Sequence, residues 1–208
     1  MDYRFEIEEK SVVYKGFFQM EKYRLRHELF AGGSSPTISR ECLERGHAVA
    51  VLPYDPQRDR VVLIEQFRIG ALEQEDGPWL LEIVAGIIGP GESKLEVARR
   101  EAMEEAGCEL LEILPVCEYL VSPGGTTESI TLYCGRVDSA GIGGVHGMAE
   151  EHEDIRVLVL SSDDALALLD SGRVLSATTL IALQWLARRR EALRERWGQA
   201  AGNGAQSG

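Results

Sequence analysis

The chain has 208 residues, 44% of them apolar, which is enough to bury a core and argues against a disordered or fibrous protein. Its formal charge of −12 and pI near 4.9 exclude nonspecific adhesion to nucleic acid or an anionic membrane, since both reward a basic surface. An acidic chain facing a phosphorylated ligand needs cations to do so.

The N-terminus, Met1 to Lys10, carries Asp2, Glu6, Glu8 and Glu9 and lacks the basic start and apolar run of a secretory signal. No apolar stretch is long enough to span a bilayer, so no membrane partner is expected. Cys42, Cys108, Cys117 and Cys134 stand far apart, without a CxxC pair and mostly inside apolar runs. They read as buried, reduced thiols of a cytoplasmic protein.

Along the chain, Ser11 to Tyr14 and the alternating run Tyr23 to Leu29 predict a small N-terminal antiparallel sheet, with Tyr23, Leu25 and Leu29 on one face. The Gly32 to Pro36 cluster breaks it, and Ile38 to Leu43 reads as a further strand. After Gly46 the apolar runs become dense. Ala48 to Leu52, Val61 to Phe67, Trp79 to Val84, Val116 to Val121, Ile130 to Tyr133 and Ile155 to Leu160 predict a central sheet covered on both faces.

Three segments read as helices. Ser93 to Ala106 places Leu95, Ala98, Ala102 and Ala106 on one stripe, small enough to approach a sheet closely. Ser162 to Asp170 opens on a capping serine followed by Asp163 and Asp164 and stops at Gly172. Ser176 to Trp197 is the longest, with Leu180, Leu183, Leu186 and Leu193 along it and Arg188 to Arg190 on its exposed side; from Gly198 a flexible tail is expected.

The chemistry concentrates before and within the first helix. Glu101, Glu104 and Glu105 stand at i, i+3 and i+4, so three carboxylates share one side of one helical turn. Like charges so placed repel unless a cation sits among them, and hard oxygen ligands suit Mg²⁺ or Mn²⁺ better than zinc. On an arbitrary helix the same three residues would read as a solvated acidic face. Their neighbours argue otherwise: Gly86, Gly89 and Gly91 surround Pro90 in a loop directly before the helix, Glu92 opens it, Arg100 precedes Glu101, and Gly107 closes it. Such a loop lets backbone groups approach ions and phosphates without a side chain intervening. Arg100 is expected to pair with Glu92 and brace loop against helix.

The segment "GIIGPGESKLEVARREAMEEAGC" resembles the Nudix box, Gly-x5-Glu-x7-Arg-Glu-u-x-Glu-Glu-x-Gly-u, where u is apolar, and every fixed position matches. Together with "VVLIEQFRIGA", "WLLEIVAG", "SPGGTTE", "HGMAEEHEDIRV" and "ALQWL", it is similar to the ADP-ribose pyrophosphatase branch of that family over Phe17 to Trp197.

The resemblance implies an α/β Nudix fold: a mixed central β-sheet sandwiched between helices, α/β/α, with a small N-terminal antiparallel sheet. Residues 1–45 would serve dimerisation and substrate contact, 46–197 would form the hydrolase domain, and 198–208 the tail. The implied reaction is hydrolysis of the diphosphate of ADP-ribose to AMP and ribose 5-phosphate with two or three Mg²⁺ ions, Mn²⁺ substituting. The implied metal ligands are the Ala85 carbonyl, Glu101, Glu105 and Glu153, with Glu104 added or bridging, and Glu151 is the general base. Gly86, Glu92, Arg100 and Gly107 shape the motif.

Phe17 and Phe18 would sandwich the adenine, although such a pair also suits a core or a dimer contact. Arg40, Arg45 and Arg68 would hold phosphate or ribose, or else form exposed salt bridges. Ile87, Ser122, Gly124 and Glu128 complete the implied substrate set. A homodimer in which each site uses both chains also follows from the resemblance. Residues Ser139 to His152 hold Gly141, Gly143, Gly144 and Gly147, enough glycine for a moving lid. His146 and His152, in this loop, are set aside as bystanders, since carboxylates suit magnesium better. Rival expectations are another nucleoside diphosphate sugar or a dinucleotide as substrate, or a non-catalytic nucleotide-sugar sensor on the same fold.

Overall fold

The computed structural model describes residues 3–202, and side chains up to residue 198. The chain forms two compact units, Met1–His47 with Tyr119–Ile130, and Ala48–Glu118 with Thr131–Gly208.

In the first unit, β1 (Phe5–Lys15), β2 (Gln19–His27) and β3 (Ile38–Glu44) form an antiparallel sheet in that order. The expected alternation holds in β2 from residue 21 on, where 21, 23 and 25 are covered and 22, 24 and 26 exposed. That face is polar at its centre: Glu21, 4% exposed, accepts from Lys10 Nζ and Gln19 Nε2 at 2.9 Å each and from the Tyr23 hydroxyl at 2.6 Å. Three donors replace the water this carboxylate gave up. Leu29 lies past the end of β2 and is exposed.

The second unit is built on an eight-stranded sheet. Its strands are β4 (Ala48–Asp55), β5 (Arg60–Phe67), β6 (Trp79–Glu82), β7 (Val84–Ile87), β8 (Glu112–Leu120), β9 (Ser129–Arg136), β10 (Gly144–His146) and β11 (Ile155–Ser161). They run in the order β10-β11-β5-β4-β9-β8, with β6 on β5 and β7 on β4. The run Trp79 to Val84 is thus two strands. The break falls at Ile83, whose N–H donates to Thr179 Oγ1 rather than to a neighbouring strand.

Every residue of β4 is buried, because helices cover both faces. Val49, Val51, Val62, Ile64, Val84, Ile155 and Val157 pack with Val97, Ala98, Ala102 and Ala106 of α1 (Lys94–Ala106). The alternate residues of β4 face α3 (Ala177–Gly202), where the Trp197 ring, fully buried, lies 6.4 Å from that of Tyr54. Between these two layers the sheet is an α/β sandwich of the kind the sequence predicts.

Several local expectations need correction. On α1, Leu95 is exposed and Val97 takes its place inside, since the sheet-facing stripe is centred one position away. α2 (Ser162–Ala167) is shorter than expected, and its cap is Ser161, whose side chain accepts from the Asp164 N–H. Arg190 does not lie on a free face of α3, because its Nε donates to both oxygens of Asp59 at 3.0 Å and its other nitrogens reach Asp163 and Asp59. α3 runs on to Gly202, into the segment expected to be tail; 203–208 lie outside the described residues. Of the four cysteines, all free, only Cys108 and Cys134 are buried, whereas Cys42 is half-buried and Cys117 exposed.

Candidate active site

α1 is strongly specified by its ends. Ser93 caps it by accepting from the Glu96 N–H, and the Glu96 carboxylate answers by accepting from the Ser93 N–H. At the other end Gly107 adopts φ 60, and the N–H groups of Gly107 and Cys108 donate to Met103 and Ala102. That closure leaves the Glu104 carbonyl available, and it accepts from the Gly147 N–H at 3.2 Å. The base of the glycine-rich loop is thereby tied to the helix that carries the clustered carboxylates.

Gly86 is not a turn residue. It lies in β7, paired with Val49, and its lack of a side chain has a steric reason: a Cβ there would stand 1.7 Å from Glu101 Oε1. The Glu101 carboxylate therefore occupies the space a side chain on the strand would fill. Glu105, 2% exposed, accepts from the Ala85 N–H at 2.9 Å. Burial, reinforced by the charges of Glu101 and Glu153, pushes its carboxyl up to about 8 despite that amide and Arg68. Glu101 is raised as well, first by burial, while Arg100 opposes the shift.

Arg100 is the local counter-charge. Its Nε donates to Glu92 at 3.0 Å, as expected, and its Nη1 lies 2.8 Å from Glu101 and 2.9 Å from Glu104. Glu92 also accepts from the Gly89 N–H at 2.8 Å, and Arg100 together with this amide holds its carboxyl below the usual range. Among the described residues no three Asp, Glu, His or Cys groups converge at metal-binding distance. The reason is visible in the contacts: Glu101 and Glu104 are turned to Arg100, and Glu105 to an amide. The group nevertheless fits a hard divalent cation, with oxygen donors, a strand cradle free of Cβ, and a buried carboxyl that lacks a full counter-charge.

The Glu153 charge adds a smaller upward push to the carboxyls of Glu101 and Glu105. Its loop holds it by two bonds: Met148 N–H donates to Glu153 Oε2 at 3.1 Å, and Glu153 N–H to the Met148 carbonyl at 3.2 Å. Gly147 has φ 104 and sits so close that a Cβ would meet that of Glu153 at 2.7 Å. Glu151 lies two residues earlier, exposed, at the end of a 3-10 turn, Ala149–Glu151. His146 Nε2 lies 3.0 Å from the Gly143 carbonyl, and its ring rests against Gly107.

Arg68, after β5, donates its backbone N–H to the Pro78 carbonyl and its Nε to Glu82 at 2.8 Å, while Gln66 Nε2 reaches the same Glu82 oxygen at 3.2 Å. Glu82 and Gln66 are not among the site residues to which the sequence points. The available signal was an acidic residue inside the apolar run Trp79 to Val84, since a covered charge requires partners. Ile87, at the end of β7, is 42% exposed.

The remaining sequence candidates lie in the first unit. Phe17 and Phe18 touch each other edge to face, 4.9 Å between centroids, rather than bracketing a gap. Phe17 is 91% exposed. Arg45 lies over the Phe18 ring at 5.0 Å and 3.4 Å from the buried Glu128 carboxylate. The Ser122 carbonyl accepts from the Gly125 and Thr126 N–H groups at 3.0 Å, making the turn that contains Gly124. The exposed Arg40 side chain donates from Nη1 to the Ser39 carbonyl beside it.

A capped helix presenting clustered carboxylates against a strand glycine, beside an arginine and a second acidic loop, defines a class: proteins that gather divalent cations around phosphate. The NUDIX domain family matches residues 44–179, and the chain belongs to it. Among curated relatives, the "ADP-ribose pyrophosphatase" of Escherichia coli K12 is 49% identical over 92% of this chain and 92% of its own. That of Haemophilus influenzae is 42% identical over 92% and 90%. The "GDP-mannose pyrophosphatase" of Yersinia pestis is 33% identical over 82% and 85%. A solved structure titled "Crystal structure of ADP compounds hydrolase" shares the fold, with a TM-score of 0.66 at 19% identity over 89% of this chain and 96% of that one. No helix among the described residues is long and apolar enough to cross a membrane.

Proposed function

We propose that this chain is a divalent-metal-dependent hydrolase of ADP-ribose, releasing AMP and ribose 5-phosphate. One observation carries the reading: relatives named for that activity match nearly the whole chain, and the acidic centre built by Gly86, Glu101, Glu105 and Glu153 has the chemistry the activity requires.

In this reading Glu101, Glu105, Glu153 and the Ala85 carbonyl, with Glu104 contributing, would hold Mg²⁺, two or three ions per site and replaceable by Mn²⁺. When bound, the metal neutralises the diphosphate and acidifies the attacking water. The chain's own groups do the rest. Gly86 gives Glu101 room, Arg100 and Glu92 hold the loop to α1, and Gly107 and Gly147 fix the second acidic loop to the helix end. Glu151, exposed on that loop, takes the water's proton on a carboxylate oxygen, a step that typically contributes about 10² to 10⁴-fold. Arg68 takes negative charge from the substrate. Phe17, Phe18, Arg40, Arg45, Ile87, Ser122, Gly124 and Glu128 hold its nucleoside and ribose ends.

The reading includes a cytoplasmic homodimer in which the N-terminal unit of one copy serves the site of the other. Four free thiols agree with a reducing compartment, and the exposed Phe17 with a surface meant to be covered. Light scattering at micromolar concentration reads the dimer directly.

The 33% identical GDP-mannose pyrophosphatase favours a second reading, the same chemistry on a different nucleoside diphosphate sugar. Parallel initial rates on ADP-ribose, GDP-mannose and a dinucleotide with Mg²⁺ decide between them. The first reading requires ADP-ribose to have the highest kcat/KM, and a clear preference for GDP-mannose would overturn it.

A further inference from the structure

We propose that Glu82 is a positioning residue for the diphosphate site, fixing the Arg68 guanidinium so that its remaining edge meets the substrate. The inference rests on the reading of the site as one for a nucleoside diphosphate.

Val62, Ile64, Gln66 and Arg68 share one face by alternation, and Val62 and Ile64 belong to the core under α1. The row therefore leaves the apolar core and arrives, through a buried glutamine, at an arginine on the helix side of the sheet. Glu82 pairs with Ile64 across the β5–β6 ladder, so its side chain emerges on the same face.

Two donors, Arg68 Nε at 2.8 Å and Gln66 Nε2 at 3.2 Å, meet on one Glu82 oxygen. Glu82 is only 15% exposed in its side chain, whereas Arg68 is 44% exposed. A charged oxygen so covered fixes one edge of the planar guanidinium, leaving the other edge oriented. The Arg68 N–H bond to Pro78 holds the backbone from which the side chain starts. An arginine fixed at both ends loses less freedom on meeting a phosphate than a loose one.

The test is a double-mutant cycle on the full chain with Glu82→Ala, Arg68→Ala and the double variant, plus Glu82→Gln, which keeps an acceptor oxygen. Calorimetry with Mg²⁺ and the α,β-methylene analogue of ADP-ribose reads binding without turnover, and steady-state kinetics on ADP-ribose reads activity. Glu82→Ala should weaken analogue binding and raise KM about tenfold with a smaller change in kcat, and Glu82→Gln should recover most of the loss. The double variant should be no worse than Arg68→Ala. Additive losses, or a Glu82→Ala loss that follows only a lowered Tm, would overturn the inference. Analogue binding with a coupled cycle but no turnover by the wild type would leave Glu82 in place and remove the hydrolase reading. No binding by the wild type would remove both.

Discussion

Replacing Gly86 by alanine tests the steric core of the site. An alanine Cβ at this strand position would lie 1.7 Å from Glu101 Oε1 and 2.0 Å from its Cδ. Real contacts essentially never fall below 3.0 Å, so the carboxylate must retreat by more than about 1 Å or β7 must part from β4. The strand is held by the Val49 pairing and by the buried core beside it, so the Glu101 side chain, which has rotatable bonds, is the group that yields. Its retreat moves the Glu101 carboxylate, proposed above as a metal ligand, off its position, and a misplacement of this size costs about 10²-fold in rate. Crowding on the fold itself is worth about 1–3 kcal/mol, too little to unfold the chain. Steady-state kinetics with ADP-ribose and saturating Mg²⁺, run beside a thermal melt, should show kcat down by about two orders of magnitude and a folded protein. A Gly86→Ala enzyme with kcat within threefold of wild type would refute the claim that this glycine makes room for Glu101.

Further predictions follow from the same centre. Glu105 is raised from 4.5 to about 8, so its proton stabilises the folded state fully below pH 4.5, and that contribution is lost as pH rises toward 8. The Tm of metal-free protein should fall across this window, by a stability on the order of 4 kcal/mol at most, and Mg²⁺ should restore more at pH 8 than at pH 6. Glu105→Gln should flatten that slope and lower kcat by about a hundredfold or more; near-wild-type kcat in saturating Mg²⁺ would remove Glu105 from the ligand set. Glu151→Gln should spare Mn²⁺ binding measured by electron paramagnetic resonance while slowing turnover, and Glu153→Gln should weaken Mn²⁺ binding itself. Equal effects of the two on Mn²⁺ affinity would erase the division of roles. Trp197→Ala should cost about 3–5 kcal/mol in urea unfolding, because the ring is wholly buried against Tyr54.

The helix of the motif was the most legible part of the chain. Ser93, Glu96 and Gly107 carry capping chemistry that acts locally, so spacing alone places both ends. The pairing of Arg100 with Glu92 was legible for the same reason, being one helix and its entry loop. What spacing could not show was anything decided by a partner distant in sequence. Gly86 reads as a turn glycine until β7 is seen beside β4 and Glu101 beside Gly86. Leu95 and Val97 exchange roles because the sheet, not the helix period, sets which side is inward. Arg190 looks like one of three solvated arginines until Asp59, far back in the chain, is found beneath it. β10 is too short and glycine-rich to show an alternation, and its pairing with β11 defines it. The function was legible in residue types at fixed intervals. The means by which Arg68 is held needed the ladder between β5 and β6.

The most direct test of the account is hydrolysis of ADP-ribose in oxygen-18 water with Mg²⁺, followed by phosphorus NMR. The account predicts AMP and ribose 5-phosphate in equal amounts, with the heavy oxygen on the phosphate of one product only. Intact ADP-ribose after prolonged incubation, or products carrying no label on phosphorus, would contradict it.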